Sequence, residues 1–335
     1  MEYVNLGKTG LKVSRIAMGG HEYLQDGRSR GFNEDREKSL TPGALFDGFG
    51  GENRKAVLKT AYENGINFFE VTQDSEKEAL GRNLRECPPP YEVYIQTRPE
   101  RMAYSYDKYN LGMADLNKLR TEVQRILKLM QIERLDFLNC PPMKWAFDHD
   151  PDYLDKLGYN LGQLKKEGLL RYAAADTFSG EEIYRKMIES GVFDVIYVNF
   201  NFGDHTPMET LKLAKEKGMG VVTREVYMKG DLFKMAKQAG IEDTVSLAEA
   251  AMRWQLTCAP VDMVVYGTGK VRNLQTACRA LEKPFSAQDE ALLEKIRGTE
   301  MFKVYEERRR DEFAGKLARM DLLFIDDSQR TYTTI

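Results

Sequence analysis

Gly65-Ile66-Asn67-Phe68-Phe69-Glu70-Val71-Thr72 is the stretch that sets the reading of the chain. Three apolar side chains, Ile66, Phe68 and Phe69, run almost unbroken into a carboxylate, and a helix-like segment, Ser75 to Arg85, follows at once. A near-continuous apolar run suits a strand buried on both faces, as in a parallel sheet under helices. Glu70 ends the run, where the chain would leave the sheet. An apolar strand that stops at one polar residue before a loop recurs along the chain, and this recurrence is the main clue to function.

Outward from that stretch, Tyr3-Val4-Asn5-Leu6, Gly7-Lys8-Thr9-Gly10 and Leu11-Lys12-Val13 read as a short hairpin. Arg15-Ile16-Ala17-Met18 is a first buried strand that ends at Gly19-Gly20-His21-Glu22. A long polar, Gly-rich loop over 21–51 mixes aromatics with paired charges and reads as a lid. Later strands end at Arg98, Asn139, Asp176, Asn199 and Asn201, Arg224 and Glu225, and Thr268, each beside a helical pattern. Two helices near 286–297 and 300–320 form a C-terminal extension, with a polar tail after Asp326.

Eight strand–helix units predict an α/β fold, a closed (β/α)8 TIM barrel with an N-terminal β-hairpin and C-terminal helices. A doubly wound open sheet is the alternative. No composition shift or Pro/Ser-rich linker marks a boundary, so 1–335 reads as one barrel domain: hairpin 1–14, lid-like loop 21–51, C-terminal helices and tail 284–335.

Composition narrows the function classes. With 335 residues, 30% charged and a net charge of -3, the chain has no electrostatic footprint for nucleic acid. No window approaches the ~20 apolar residues that span a bilayer, and no secretory signal opens the chain. Cys87, Cys140, Cys258 and Cys278 match no metal spacing and read as reduced thiols of a cytoplasmic protein. The expected partner is a small-molecule substrate; oligomeric state is not legible.

In such a barrel, catalytic groups gather at the C-terminal ends of the strands. A polar residue there often only satisfies backbone groups; hydrogen-bonding groups on all eight strands converging on one mouth read as a ligand pocket. Glu70 and Arg98, on adjacent strands, are expected to form an ion pair at its floor. His21, beside Glu22, is the candidate proton carrier on titration grounds. A metal site from His21, Glu70 and Asp176 has no support in the spacing. Gly267-Thr268-Gly269-Lys270 before a helix, with Arg272 in its first turn, is a candidate phosphate loop.

With these residues in view, the chain resembles the aldo-keto reductases. Leu6-Gly7-Lys8-Thr9-Gly10-Leu11-Lys12-Val13-Ser14 is similar to the family's N-terminal hairpin. Gly65 to Phe69, Ser75-Glu76 and Leu80-Gly81 resemble its second strand and helix. Leu164 to Gly168 with Arg171-Tyr172 resembles the lead-in to strand five, and Ala248 to Trp254 the helix before the last strand.

The resemblance implies an NADP(H)-dependent carbonyl reductase with an Asp, Tyr, Lys and His tetrad in which Tyr is the general acid. Here the Asp position holds Glu70, the Lys position Arg98 and the His position Asn139, while the Tyr position is absent. The Ser-Asn pair that holds the nicotinamide amide aligns with Asp176-Thr177, and the Gln on strand six with Tyr197. Gly267, Thr268 and Lys270 keep the phosphate-loop character. Asn273, with Arg272 beside it, aligns with the 2′-phosphate arginine.

The function expected is a divergent oxidoreductase acting with NADP(H) on the carbonyl or hydroxyl of a small polar, sugar-like substrate. Nicotinamide would bind by strands seven and eight, near Arg224. Asn139 would donate to the substrate oxygen, and Glu70, His21, Tyr23 or Tyr104 would supply the proton. Glu22 and Asn199 join these as substrate contacts. A redox-neutral lyase or isomerase on the same barrel, or a non-catalytic ligand-binding protein, remains open.

Overall fold

The structure is a computed structural model that describes residues 1–21, 50–103, 107 and 109–316. Glu22, Tyr23 and Tyr104 lie outside the described residues, as do most of the 21–51 loop and the tail after 316.

A hairpin of β1 (Tyr3–Asn5) and β2 (Lys12–Ser14) opens the chain, paired antiparallel with Tyr3 opposite Ser14. Eight parallel strands then close into a barrel: β3 (Ile16–Gly19), β4 (Phe68–Glu70), β5 (Tyr94–Thr97), β6 (Leu135–Cys140), β7 (Leu170–Ala175), β8 (Val195–Asn199), β9 (Gly220–Arg224) and β10 (Met263–Gly267). The ring is sealed where β10 pairs with both β9 and β3, which excludes the open sheet.

Strand periodicity divides each strand between two cores. Phe68, Tyr94, Phe137, Val195, Tyr197 and Val222 pack in the barrel interior. Phe69, Ile95, Leu138, Ile196 and Val198 belong to the outer core with the helices. Phe69, for example, meets Tyr62 of α1 (Glu52–Glu63) edge-on at 6.0 Å. The apolar run that opens this account is therefore buried on both faces, and Glu70, two residues after Phe68, points into the interior at the open end.

The hairpin stoppers the other end. Leu6, Leu11 and Val13 join the interior cluster. Lys8 N–H donates to Gly218 at 2.9 Å, and the Tyr172 hydroxyl donates to the Thr9 carbonyl at 2.6 Å. With the bottom filled by apolar groups, polar side chains are left to the C-terminal mouth.

The outer layer includes α2 (Asp74–Glu86), α3 (Leu116–Met130), the short α4 (Lys144–His149), α5 (Tyr153–Lys166), α6 (Glu181–Glu189) and α7 (Met208–Glu216). It continues with α8 (Asp231–Gln238), α9 (Thr244–Thr257), α10 (Val271–Arg279), α11 (Ala287–Arg297) and α12 (Glu300–Phe313). The sequence pattern did not announce α4 or α8, which at 6 and 8 residues are the shortest of the described α-helices. The final helix ends at Phe313 rather than near 320.

Asp74, in the first turn of α2, is fully buried. Its carboxylate accepts two bonds from Arg125 of α3, at 2.8 and 2.9 Å, and one from Lys77 at 3.3 Å. These charges tie α2 to α3 just outside the mouth. None of the described helices is long and apolar enough to cross a membrane.

Candidate functional site

Period two along the strands places Glu70, Gln96, Arg98, Asn139, Asp176, Tyr197, Asn199 and Arg224 around the interior at the C-terminal mouth. Packing divides them into two groups.

The first is built on Asp176, fully buried just past β7. Arg224 grips its carboxylate with both terminal nitrogens, at 2.9 and 2.7 Å. Asn139 donates from Nδ2 at 3.2 Å, and the Tyr184 hydroxyl at 3.2 Å. The Arg224 Nε bonds Asn199 Oδ1. Its guanidinium also lies over two rings, Tyr197 at 5.1 Å and Phe178 at 5.3 Å. A bidentate, hydrogen-bonded, ring-stacked arginine is the geometry in which guanidinium is strongest. The cluster is thus rigid and its charges largely cancel.

The second group surrounds His21. Its Nδ1 meets Glu76 Oε1 at 2.7 Å. Glu76 Oε2 accepts backbone N–H bonds from Thr72 at 2.9 Å and Gln73 at 3.1 Å. Burial works against charge on Glu76, but His21 and the two N–H groups more than offset it and hold its pKa at about 2. Burial likewise works against imidazolium, yet the Glu76 carboxylate, with Glu70 behind it, raises His21 above its ordinary value. The pair therefore favours the protonated imidazole more than water does.

The expected Glu70–Arg98 ion pair does not form. Arg98 takes Glu100 instead, through Nε and, at 3.2 Å, Nη2. Glu100 lies two residues on in sequence and is fully buried. Glu70 accepts a hydrogen bond from the Thr72 hydroxyl at 2.8 Å. Both Glu70 and Arg98 still act on His21 through their charge, so all three share one neighbourhood. Sequence reading missed Glu76, Glu100, Gln96 and Tyr184. Gln96 was in reach, since it falls between Tyr94 and Arg98 on the same inward face.

The β10–α10 loop forms a third locus. Asn53 and Arg54 of α1 hold it in place: Asn53 Nδ2 donates to the Gly269 carbonyl at 2.8 Å, and Arg54 Nη1 to that of Thr268 at 3.5 Å. Helix α10 starts at Val271, after Lys270 at the N-cap and with no side-chain cap, and Lys270 and Arg272 are exposed. N–H groups at an uncapped helix start, flanked by two cations, suit an anionic phosphate.

Residues 45–297 match the model of the Aldo/keto reductase family. The chain belongs to that family. L-galactose dehydrogenase of Arabidopsis thaliana is 22% identical over 334 residues, covering 87% of this chain and 94% of that one. Among solved structures, aldo-keto reductase AKR11C1 from Bacillus halodurans in its holo form superposes with a TM-score of 0.64 at 17% identity, over 88% of this chain and 96% of the other. Glycerol dehydrogenase AKR11B4 from Gluconobacter oxydans gives a TM-score of 0.65 at 16% identity, over 88% and 94%.

Aldo/keto reductases generally use a nicotinamide nucleotide, and the residues present fit it unevenly. The α10 start offers the donors a phosphate needs. At the other end Asp176 is engaged by Arg224, Asn139 and Tyr184, and Thr177 Oγ1 accepts the Ser179 N–H at 3.0 Å. These two side chains already serve the protein's own framework.

Proposed function

We propose that this aldo/keto reductase is an oxidoreductase that uses NADP(H) to interconvert the carbonyl and hydroxyl forms of a small, uncharged, sugar-like substrate. The observation that carries this reading is the His21–Glu76 pair at the barrel mouth, an imidazole held at 2.7 Å by a carboxylate and close to the charge of Glu70. Bound nicotinamide nucleotide supplies or accepts the hydride. Thr268, Lys270 and Arg272 at the start of α10 would hold its phosphates.

The rest follows from this chain's own groups. In the reductive direction, the imidazolium of His21 gives a proton from Nε2, the ring nitrogen not engaged by Glu76, to the forming alkoxide. Glu76, ionised down to about pH 2, steadies the charge of the imidazolium and fixes the ring's orientation. Oxidation runs the same transfer in reverse. Asn139 gives one of its two amide hydrogens to Asp176, which fixes the orientation in which the other can serve the substrate oxygen. Arg98 and Arg224 each face a carboxylate, so the mouth favours a neutral substrate over an anionic one. The names of two similar proteins, a dehydrogenase of L-galactose and one of glycerol, point to the same neutral, polyhydroxylated class.

Titration with NADPH followed by protein fluorescence, then assay of L-galactose and glycerol oxidation with NADP, tests the reading. Binding and turnover are expected, with His21→Ala lowering kcat by about 10²–10⁴-fold. Absence of cofactor binding at millimolar concentration would overturn it.

A further inference from the structure

The floor of the mouth carries polar atoms that no interaction above uses. Tyr197 Oη, both amide atoms of Gln96 and Asn139 Oδ1 are buried, and among the described residues none has a hydrogen-bond partner. Tyr197 and Gln96 are each 1% exposed. They approach from different walls: β5, which carries Gln96, is three strands round the ring from β8, which carries Tyr197. Burial raises the Tyr197 phenol far above its usual range, and Glu70, the register partner of Gln96, adds to the rise. The phenol therefore reaches across the interior toward β4 and β5. Gln96 faces it as a hydrogen-bonding neighbour and lowers it slightly, but at a separation and angle that leave the atoms of both side chains short of a full bond.

Natural proteins seldom leave several buried polar atoms unpaired at one spot unless a ligand or ordered water pairs them. This group is uncharged and of mixed character. The phenol donates and accepts, the Gln96 amide donates through Nε2 and accepts through Oε1, and Asn139 Oδ1 accepts. Neighbouring hydroxyls, each both donor and acceptor, match such a set. A carboxylate or phosphate would meet Glu70 and Asp176 without a spare cation, because Arg224 is already clamped to Asp176.

We propose that Tyr197 and Gln96, with Asn139 Oδ1, form a specificity subsite that binds adjacent hydroxyls of an uncharged polyol. The inference takes its substrate from the oxidoreductase reading, and it assigns Tyr197 to the substrate rather than to the cofactor. A group placed for recognition differs from a structural one in what its loss does to stability. Removing an unpartnered buried polar atom relieves the fold while weakening the ligand.

The test uses Tyr197→Phe and Gln96→Leu in the full chain. Glycerol, xylitol and L-galactose are titrated by saturation-transfer NMR without cofactor, NADPH is titrated separately by fluorescence, and Tm is recorded. The wild type is expected to bind at least one of the three polyols. Each variant should weaken that binding about tenfold, the loss of one hydrogen bond, with Tm unchanged or raised and NADPH affinity unchanged. The proposal is overturned by variants that bind the polyols as the wild type does, which would leave water as the partner of these atoms. It is equally overturned by a wild type that binds none of the three, or by variants whose Tm falls by several degrees. If NADPH fails to bind while the variants still lose polyol affinity, the oxidoreductase reading falls and the subsite stands.

Discussion

Arg224 and Asp176 meet edge to edge, two nitrogens on two oxygens at 2.7 and 2.9 Å, and so tie the end of β9 to the end of β7 across the intervening β8. Asn199 of β8 takes the third guanidinium nitrogen. Three consecutive strands of the mouth are laced through one side chain.

Removing only one partner should therefore be costly. Asp176→Ala leaves the Arg224 charge without its counter-ion, and we expect a loss of about 3–5 kcal/mol in urea unfolding. The double variant Asp176→Leu/Arg224→Met should lose much less, because no unpaired charge remains. A single-variant loss below about 1 kcal/mol would class this pair with exposed salt bridges.

The His21–Glu76 pair makes stability depend on pH from two sides. Glu76 falls from 4.5 to about 2 on folding, so its contribution is complete above pH 4.5 and disappears as pH drops toward 2. His21 rises above 6.5, so its contribution is complete below pH 6.5 and fades as pH climbs through the folded value. Both shifts report one interaction and are not summed; the Glu76 side amounts to about 3 kcal/mol. Tm measured from pH 2 to 9 (about that span covers both transitions) should peak between these limits. The Glu76→Gln variant should flatten the curve, and a curve identical to wild type would refute the coupling.

Of the three cations around Asp74, namely Arg125, Arg101 and Lys77, the first and last should prove unequal. Arg125 makes two short bonds to it, whereas Lys77, with no exposed side-chain surface, makes one at 3.3 Å. Burial, the largest influence on Lys77, lowers its pKa. Arg125→Met should cost about 3 kcal/mol, while Lys77→Met should be neutral or stabilising. Parallel denaturant titrations would show the order, and equal losses would contradict it.

Two glycines give opposite expectations for the same substitution. A Cβ on Gly81 of α2 would land in the Met130 backbone at the end of α3, whereas one on Gly162 of α5 would meet nothing within 4 Å. Gly81→Ala should force α2 off α3, at about 3 kcal/mol. Gly162→Ala should add about 0.5–1 kcal/mol by restraining the unfolded chain and favouring helix. Melting temperatures of the two variants should move in opposite directions.

Much of the barrel could be read along the chain because its signals are local. The run from Ile66 to Phe69, with the polar stop at Glu70, shows one strand and its inward end without reference to any other. The same pattern marked Arg98, Asn139, Asp176, Asn199 and Arg224 as mouth residues. Helices α4 and α8 escaped because they are the shortest of the described α-helices, 6 and 8 residues, too short to display a clear apolar stripe. Which mouth residues pair was less accessible. Glu70 and Arg98 sit on neighbouring strands, yet Arg98 is taken by Glu100, which a 3-10 turn folds back beneath it.

The sequence alone determined the alternation of strand and helix, the polar character of one barrel end and the resemblance to a family. Periodicity and motif order reside in consecutive residues, and consecutive residues are what a sequence displays. Only the tertiary structure decided that Glu76 charges His21, that Arg224 closes on Asp176 from two strands away, and that Tyr197 stretches across to Gln96. Such contacts depend on ring closure and on competition among several carboxylates for a few cations, and that competition is settled by distances of a few tenths of an ångström.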